Sequence, residues 1–179
     1  MNIRQALLQN KIYTKAQATA ITTYACSSPT QFEKLMQCFT DKDYRVAQRA
    51  AWSVSEAAEK NVKLIKPYLG EVVKQLNRTS VHPAVVRNSV RILQHIDIPE
   101  ELQGEVMDAC FNFIEKPATP VAIKAFALTT LFNLSRLYPE IVNELKTIIE
   151  NRMENETAAF VSRGKKILQQ LQESKTPGV

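Results

Sequence analysis

Glycine is scarce. The 179 residues contain four, at Gly70, Gly104, Gly164 and Gly178, scattered along the chain. A phosphate cradle needs glycines clustered before a helix, so P-loop and dinucleotide-type loops are excluded, and GxSxG, HExxH and EF-hand patterns are missing as well. Cysteine is equally thin: Cys26, Cys38 and Cys110 form no CxxC or other metal-ligand spacing, and an odd count suits buried thiols in a reducing compartment. The two histidines, His82 and His95, stand 13 positions apart, not the three or four that bring ligands together on a helix. No metal and no cofactor is expected. The opening stretch MNIRQALLQNKIYTK has no apolar run of signal-peptide length, and no later run approaches a membrane span, so a soluble, cytoplasmic protein without a membrane partner is expected. Carboxylate pairs occur at Glu100–Glu101 and Glu154/Glu156, but at helix starts or in loops, where they suit the helix dipole or solvent better than acid–base work. No residue set demands a reaction, and the expectation is a non-enzyme.

What is present is a helical pattern. Hydrophobic residues make up 45% of the chain, enough for one folded domain, expected over residues 1–173 with a frayed tail at 174–179. Period-two alternation is almost absent, whereas apolar or small residues recur at three and four, as in Val46, Ala50, Ser53, Val54, Ala57 and in Val85, Ser89, Ile92, Leu93, Ile96. Prolines fall where a helix tolerates a missing N–H: Pro29, Pro83, Pro99, Pro120 and Pro139. Ser28 with Gln31 fits a capping box. Ten helices are predicted, near 2–10, 14–26, 29–40, 43–59, 62–78, 83–96, 99–115, 119–137, 139–153 and 157–173, with Pro67 separating or kinking the first turn of the fifth.

The segments VAQRAAWSVSEAA, VVRNSVRILQHI, AIKAFALTTLFNL and AFVSRGKKILQQL align with each other. Ala47, Val86, Ile123 and Phe160 then share a column, at spacings of 39, 37 and 37. Four positions on stand Ala51, Val90, Ala127 and Gly164, mostly small; seven on stand Val54, Leu93, Thr130 and Ile167. An inward residue, a small one and a second inward residue let one helix approach its neighbour closely. With a basic residue after the anchor, in Val86-Arg87 and Ile123-Lys124, and Asp43 ahead of the first such helix, the chain resembles the HEAT family of helical repeats, and among these the small bacterial HEAT-like proteins of about this length. The resemblance implies an all-α, right-handed superhelix of five antiparallel helix pairs, 1–26, 29–60, 61–97, 99–137 and 139–173, whose second helices line a concave side. The chain departs from the family pattern where His82, Thr119 and Glu156 fill the Asp column and Gln48 and Val161 the Arg column.

Function classes follow from charge and side-chain placement. The net charge of +5 is uneven. Residues 1–97 hold 14 Lys+Arg against 7 Asp+Glu, a balance of +7, and residues 98–179 hold 9 against 11, a balance of −2. An acidic partner or nucleic acid would suit the first half. Arg45, Arg49, Trp52 and Glu56 fall on one helix face, and the repeat columns continue it to Arg91, His95 and Lys165, with an apolar patch of Val121, Leu128 and Phe132. If exposed, this stripe offers aromatic and arginine anchors to a protein or peptide. The competing reading is packing: Trp52 filling space beside alanines, and Phe126, Leu128 and Phe132 lying between repeats. Asp41 and Asp43 read as helix caps. A second function class is nucleic-acid binding, with KNVKLIK and RGKK as phosphate contacts. Its remote extension is the HEAT-like alkylpurine DNA glycosylases, from which the chain differs in having a single Trp and no Asp evident beside it.

Overall fold

A computed structural model describes residues 1–173; the expected tail at 174–179 lies outside them. Helices open where short polar side chains can accept an orphan N–H. Asn2 caps α1 (Ile3–Leu8), Thr14 caps α2 (Lys15–Ala25), Ser28 caps α3 (Pro29–Phe39) and Asp43 caps α4 (Tyr44–Lys60). Each such cap contributes about 1 kcal/mol. Only half of the expected capping box forms: Ser28 accepts from the Gln31 amide, while Gln31 Oε1 is buried with no protein hydrogen-bond partner. Asp41 accepts from the Asp43 amide at 2.8 Å and from Arg4 at 3.0 Å, holding the turn before α4.

The helix expected over 62–78 is broken at Pro67 into α5 (Val62–Ile65), a 3₁₀ turn at Lys66–Tyr68 and α6 (Leu69–Lys74). Proline cannot donate the bond that would continue the ladder. His82 Nδ1 accepts from the Ala84 amide and opens α7 (Pro83–Leu93). Pro99 and Pro120 sit one position before α8 (Glu100–Glu115) and α9 (Val121–Leu134). A 3₁₀ turn at Pro139–Ile141 leads into α10 (Val142–Arg152), and another at Met153–Asn155 leads to α11 (Ala158–Glu173). No strand occurs among the described residues, and no helix among them is long and apolar enough to cross a membrane.

The chain divides into two compact units at Ile98/Pro99, the expected joint between the third and fourth helix pairs. In the first unit, α2, α4 and α7 lie side by side, and α1 and α3 form a layer behind them. In the second, α9 packs on α11 and α8 on α10. The repeat columns hold: Ala51, Val54, Val90, Leu93, Ile123, Ala127, Thr130, Phe160 and Ile167 are all buried, and Val86 is half-buried. Burying a Val, Leu, Ile or Phe side chain contributes roughly 1.5–3 kcal/mol, so the inter-helix seams carry the stability. The small column has a direct geometric reason at Gly164, where an added Cβ would stand 2.8 Å from Ile149 Cγ2.

Candidate partner-binding groove

The first halves of α4 and α7 run alongside each other and enclose a groove of about 430 Å³. Its wall consists of Tyr44, Arg45, Gln48, Arg49 and Trp52 from α4, Ala84 and Arg87 from α7, and Tyr13 from the turn before α2. Arg45 and Arg87 are exposed, and no carboxylate among the described residues lies within ion-pair distance of either. Tyr44 is 61% exposed and stacks on His82 with ring centres 6.3 Å apart.

Trp52 is both packed and groove-facing. It is half-buried, Tyr13 meets it edge-to-face at 5.8 Å, and its Nε1–H donates to Glu56 Oε1 at 3.0 Å. The Glu56 carboxylate also accepts from Thr22 at 3.4 Å, so it orients the indole and ties α4 to α2. The alanines beside Trp52 belong to the inward side, where Ala50 and Ala51 are fully buried. Tyr13 reaches Ser53 Oγ at 3.1 Å, and burial pushes its phenol above the usual value, opposed in part by that hydrogen bond.

Arg49 lines the groove as well, but it is only 9% exposed and its guanidinium is already engaged by the protein's own backbone. Its guanidinium donates to the carbonyls of Leu7 at 2.6 Å, Asn10 at 2.9 Å and Lys11 at 2.8 Å, and lies 5.3 Å from the centre of the Tyr13 ring. The last carbonyls of a helix lack internal partners and carry the negative end of its dipole, so a buried cation is well placed to satisfy them. The segment 9–13 folds over this part of α4 and covers Arg49, a long-range event that helical periodicity does not register.

The remaining expected residues divide. Arg91 is half-buried in an ion pair with Glu59 at 2.7 Å, farther along the same α4/α7 seam. His95 is exposed and lines a second pocket of about 480 Å³ with Ala58, Glu59, Val62, Ile92 and Ile96. Lys165 is exposed on α11, in the second unit. Of the expected apolar patch, Val121 is exposed, whereas Leu128 and Phe132 are core residues, Phe132 lying 5.0 Å under the Arg136 guanidinium. Of the expected phosphate contacts, Lys60, Lys63, Lys66, Lys165 and Lys166 are exposed, but Arg163 is bound to Thr129 at 2.8 Å.

Sequence reasoning passed over Tyr13, Tyr44, Gln48 and Arg87 as groove residues. A signal for two of them existed: Gln48 and Arg87 share the column that follows the anchor, 39 positions apart. Nothing in the sequence marks Tyr13, which precedes its helix.

Helix pairs that repeat the same buried columns at a near-constant spacing define a helical repeat domain. The chain belongs to the HEAT repeat domain family, whose model matches residues 3–171. No curated protein matches the chain.

Proposed function

We propose that the protein is a non-enzymatic binding scaffold and that the groove between the first halves of α4 and α7 receives an acidic segment of a protein partner. The observation that carries this reading is the pairing of Arg45 and Arg87, exposed and without acidic partners, around half-buried Trp52 and Tyr13. Aromatic and arginine side chains give large contact area and directed donors, and they dominate binding energy where they sit in a concave wall. The +7 balance of residues 1–97 would draw an acidic segment toward this unit before contact. Three unpaired thiols, Cys26, Cys38 and Cys110, suit a reducing compartment such as the cytoplasm.

The single tryptophan supplies the test. Glutamate-rich peptides titrated at low salt should shift Trp52 emission, and the Arg45→Glu/Arg87→Glu double variant should abolish the shift while keeping its helical circular dichroism. No response to acidic peptides, or an equal response to lysine-rich ones, would refute the reading. Duplex or single-stranded DNA is the competing probe: salt-sensitive DNA binding lost in the same variant would assign the face to nucleic acid instead.

A further inference from the structure

The α4/α7 seam continues beyond the groove. Gln48, Trp52 and Glu59 fall on one face of α4, and Ala84 and Arg91 on one face of α7, by their spacing at 3.6 residues per turn, with His95 in the turn that follows α7. Along that face the first groove gives way to the Glu59–Arg91 ion pair, and then to the pocket whose walls are Ala58, Val62, Ile92 and Ile96, with His95 at its rim. The two ends differ in chemistry. Arg45 and Arg87 stand without acidic partners at one end, whereas at the other Glu59 is paired with Arg91 and four of the six lining residues, Ala58, Val62, Ile92 and Ile96, are aliphatic.

We infer that the seam is a two-point docking track for one extended peptide segment, which places an acidic side chain between Arg45 and Arg87 and an aliphatic side chain in the Val62/Ile92/Ile96 pocket. This rests on the proposed acidic-segment reading and adds the second anchor and the spacing. From Gln48 in the groove wall to Glu59 in the pocket wall is 11 positions of α4, which at ~1.5 Å per residue is about 16 Å. An extended strand advances about 3.3 Å per residue, so the two anchors of the ligand lie about four or five residues apart. Charge complementarity fixes the direction as well: the acidic anchor goes to the N-terminal ends of α4 and α7, where the helix dipoles also favour it.

The test uses the full chain and synthetic Gly/Ser peptides carrying a Glu-Glu pair, a single leucine, or both at separations of two, four, five and nine residues, read by fluorescence anisotropy. The expected result is a maximum at four or five, at least about tenfold tighter than the Glu-Glu peptide alone, a gain equal to one well-buried side chain. Val62→Glu, at a position already 38% exposed and therefore safe for folding, should remove the leucine gain and leave the Glu-Glu peptide's binding in place. Arg87→Glu should weaken every acidic peptide. If acidic peptides bind but leucine adds nothing at any separation, or Val62→Glu changes nothing, the two-point track is wrong while the acidic groove stands. If no acidic peptide binds, both fall.

Discussion

In the first unit, Arg49 lies beneath the end of α1 and donates only to main-chain carbonyls. In the second, Lys124 is 2% exposed and shut against a carboxylate, with Nζ 2.5 Å from Glu156 Oε1 and 3.1 Å from the Pro117 carbonyl. Arg152 joins that second cluster, reaching the same oxygen at 2.6 Å and the Glu115 carbonyl at 2.6 Å. Both devices pin a loop or helix end onto a second-layer helix with a buried cation. They differ in what answers the charge: oriented dipoles in one case, a titratable group in the other. The first unit thereby spends no carboxylate on Arg49, while in the second two cations share one carboxylate. The difference teaches that one structural task can be met with or without a pH-sensitive partner, and that acid should weaken the two units unequally.

Removing the cation from the second cluster should have the largest effect. Lys124→Met leaves Glu156 buried with only Arg152 to answer it, and the expected loss is about 3–5 kcal/mol, read as a lowered urea midpoint with faster amide exchange in α9 and α11. An equal loss in both units would break the comparison. Next is Arg49→Met, which orphans three carbonyls but leaves no buried charge. A loss of about 2–4 kcal/mol is expected, with exchange accelerated first over residues 3–13. This deficit should be the same at pH 8 and pH 5, since carbonyls do not titrate.

Acid sharpens the contrast. Burial alone would raise the Glu156 carboxyl, but hydrogen bonds from Lys124 and Arg152 outweigh it and hold the group below its usual value. A carboxyl lowered in the folded state contributes stability that is present above the ordinary carboxylate range and is lost as pH falls through the lowered value. The second unit should therefore lose protection below about pH 4, and Glu156→Gln, weaker from the start, should lack that part of the slope. In the first unit Asp41 is lowered too, chiefly by the Asp43 amide, but it sits at the surface beside a half-exposed Arg4, where such pairs contribute little.

The smallest effect separates two glycines of the second unit. Both lie inside helices, where Ala for Gly gains about 1 kcal/mol of helix propensity. At Gly104 nothing stands within 4 Å of the new Cβ, so Gly104→Ala should stabilise by about 1 kcal/mol. At Gly164 the Cβ would meet Ile149 Cγ2 at 2.8 Å, so overpacking of about 1–3 kcal/mol should cancel or reverse the gain. Thermal melts of both variants decide it; an equal gain at both would show that α10 yields easily to α11.

The thiols separate by the same logic of enclosure. Burial pushes Cys38 up to about 11 and Cys110 higher still, whereas Cys26 is half-buried and raised less. A thiol reagent at pH 8 should therefore modify Cys26 first.

Most of the helices were legible because a 3.6-residue period, proline punctuation and small polar caps are local properties. The ends of α8 and α11 lie within about a residue of expectation. Pro67 marked its own break. The repeat columns were legible because every layer solves the same packing problem, so small and inward residues recur at fixed intervals. Less of the groove could be read. Arg45, Arg49 and Trp52 were found by helix face, but that reasoning could not show that Arg49 is almost wholly covered. The face of α4 is decided by helical phase; which part of that face is covered depends on segment 9–13, some 40 positions away in sequence. Leu128 and Phe132 were read by periodicity as core more readily than as an exposed patch, and packing in the second unit makes them core.

The sequence by itself determined an all-helical chain of paired helices recurring at a spacing of 37 to 39 residues, because hydrogen bonding and burial within each pair are governed by neighbours in sequence. Tertiary structure alone decided which arginine is buried and which is offered, that Glu56 serves Trp52 and Thr22, and that Lys124 meets Glu156. Those outcomes depend on how distant segments divide a limited supply of carbonyls, carboxylates and open surface, and no local pattern of residues encodes that division.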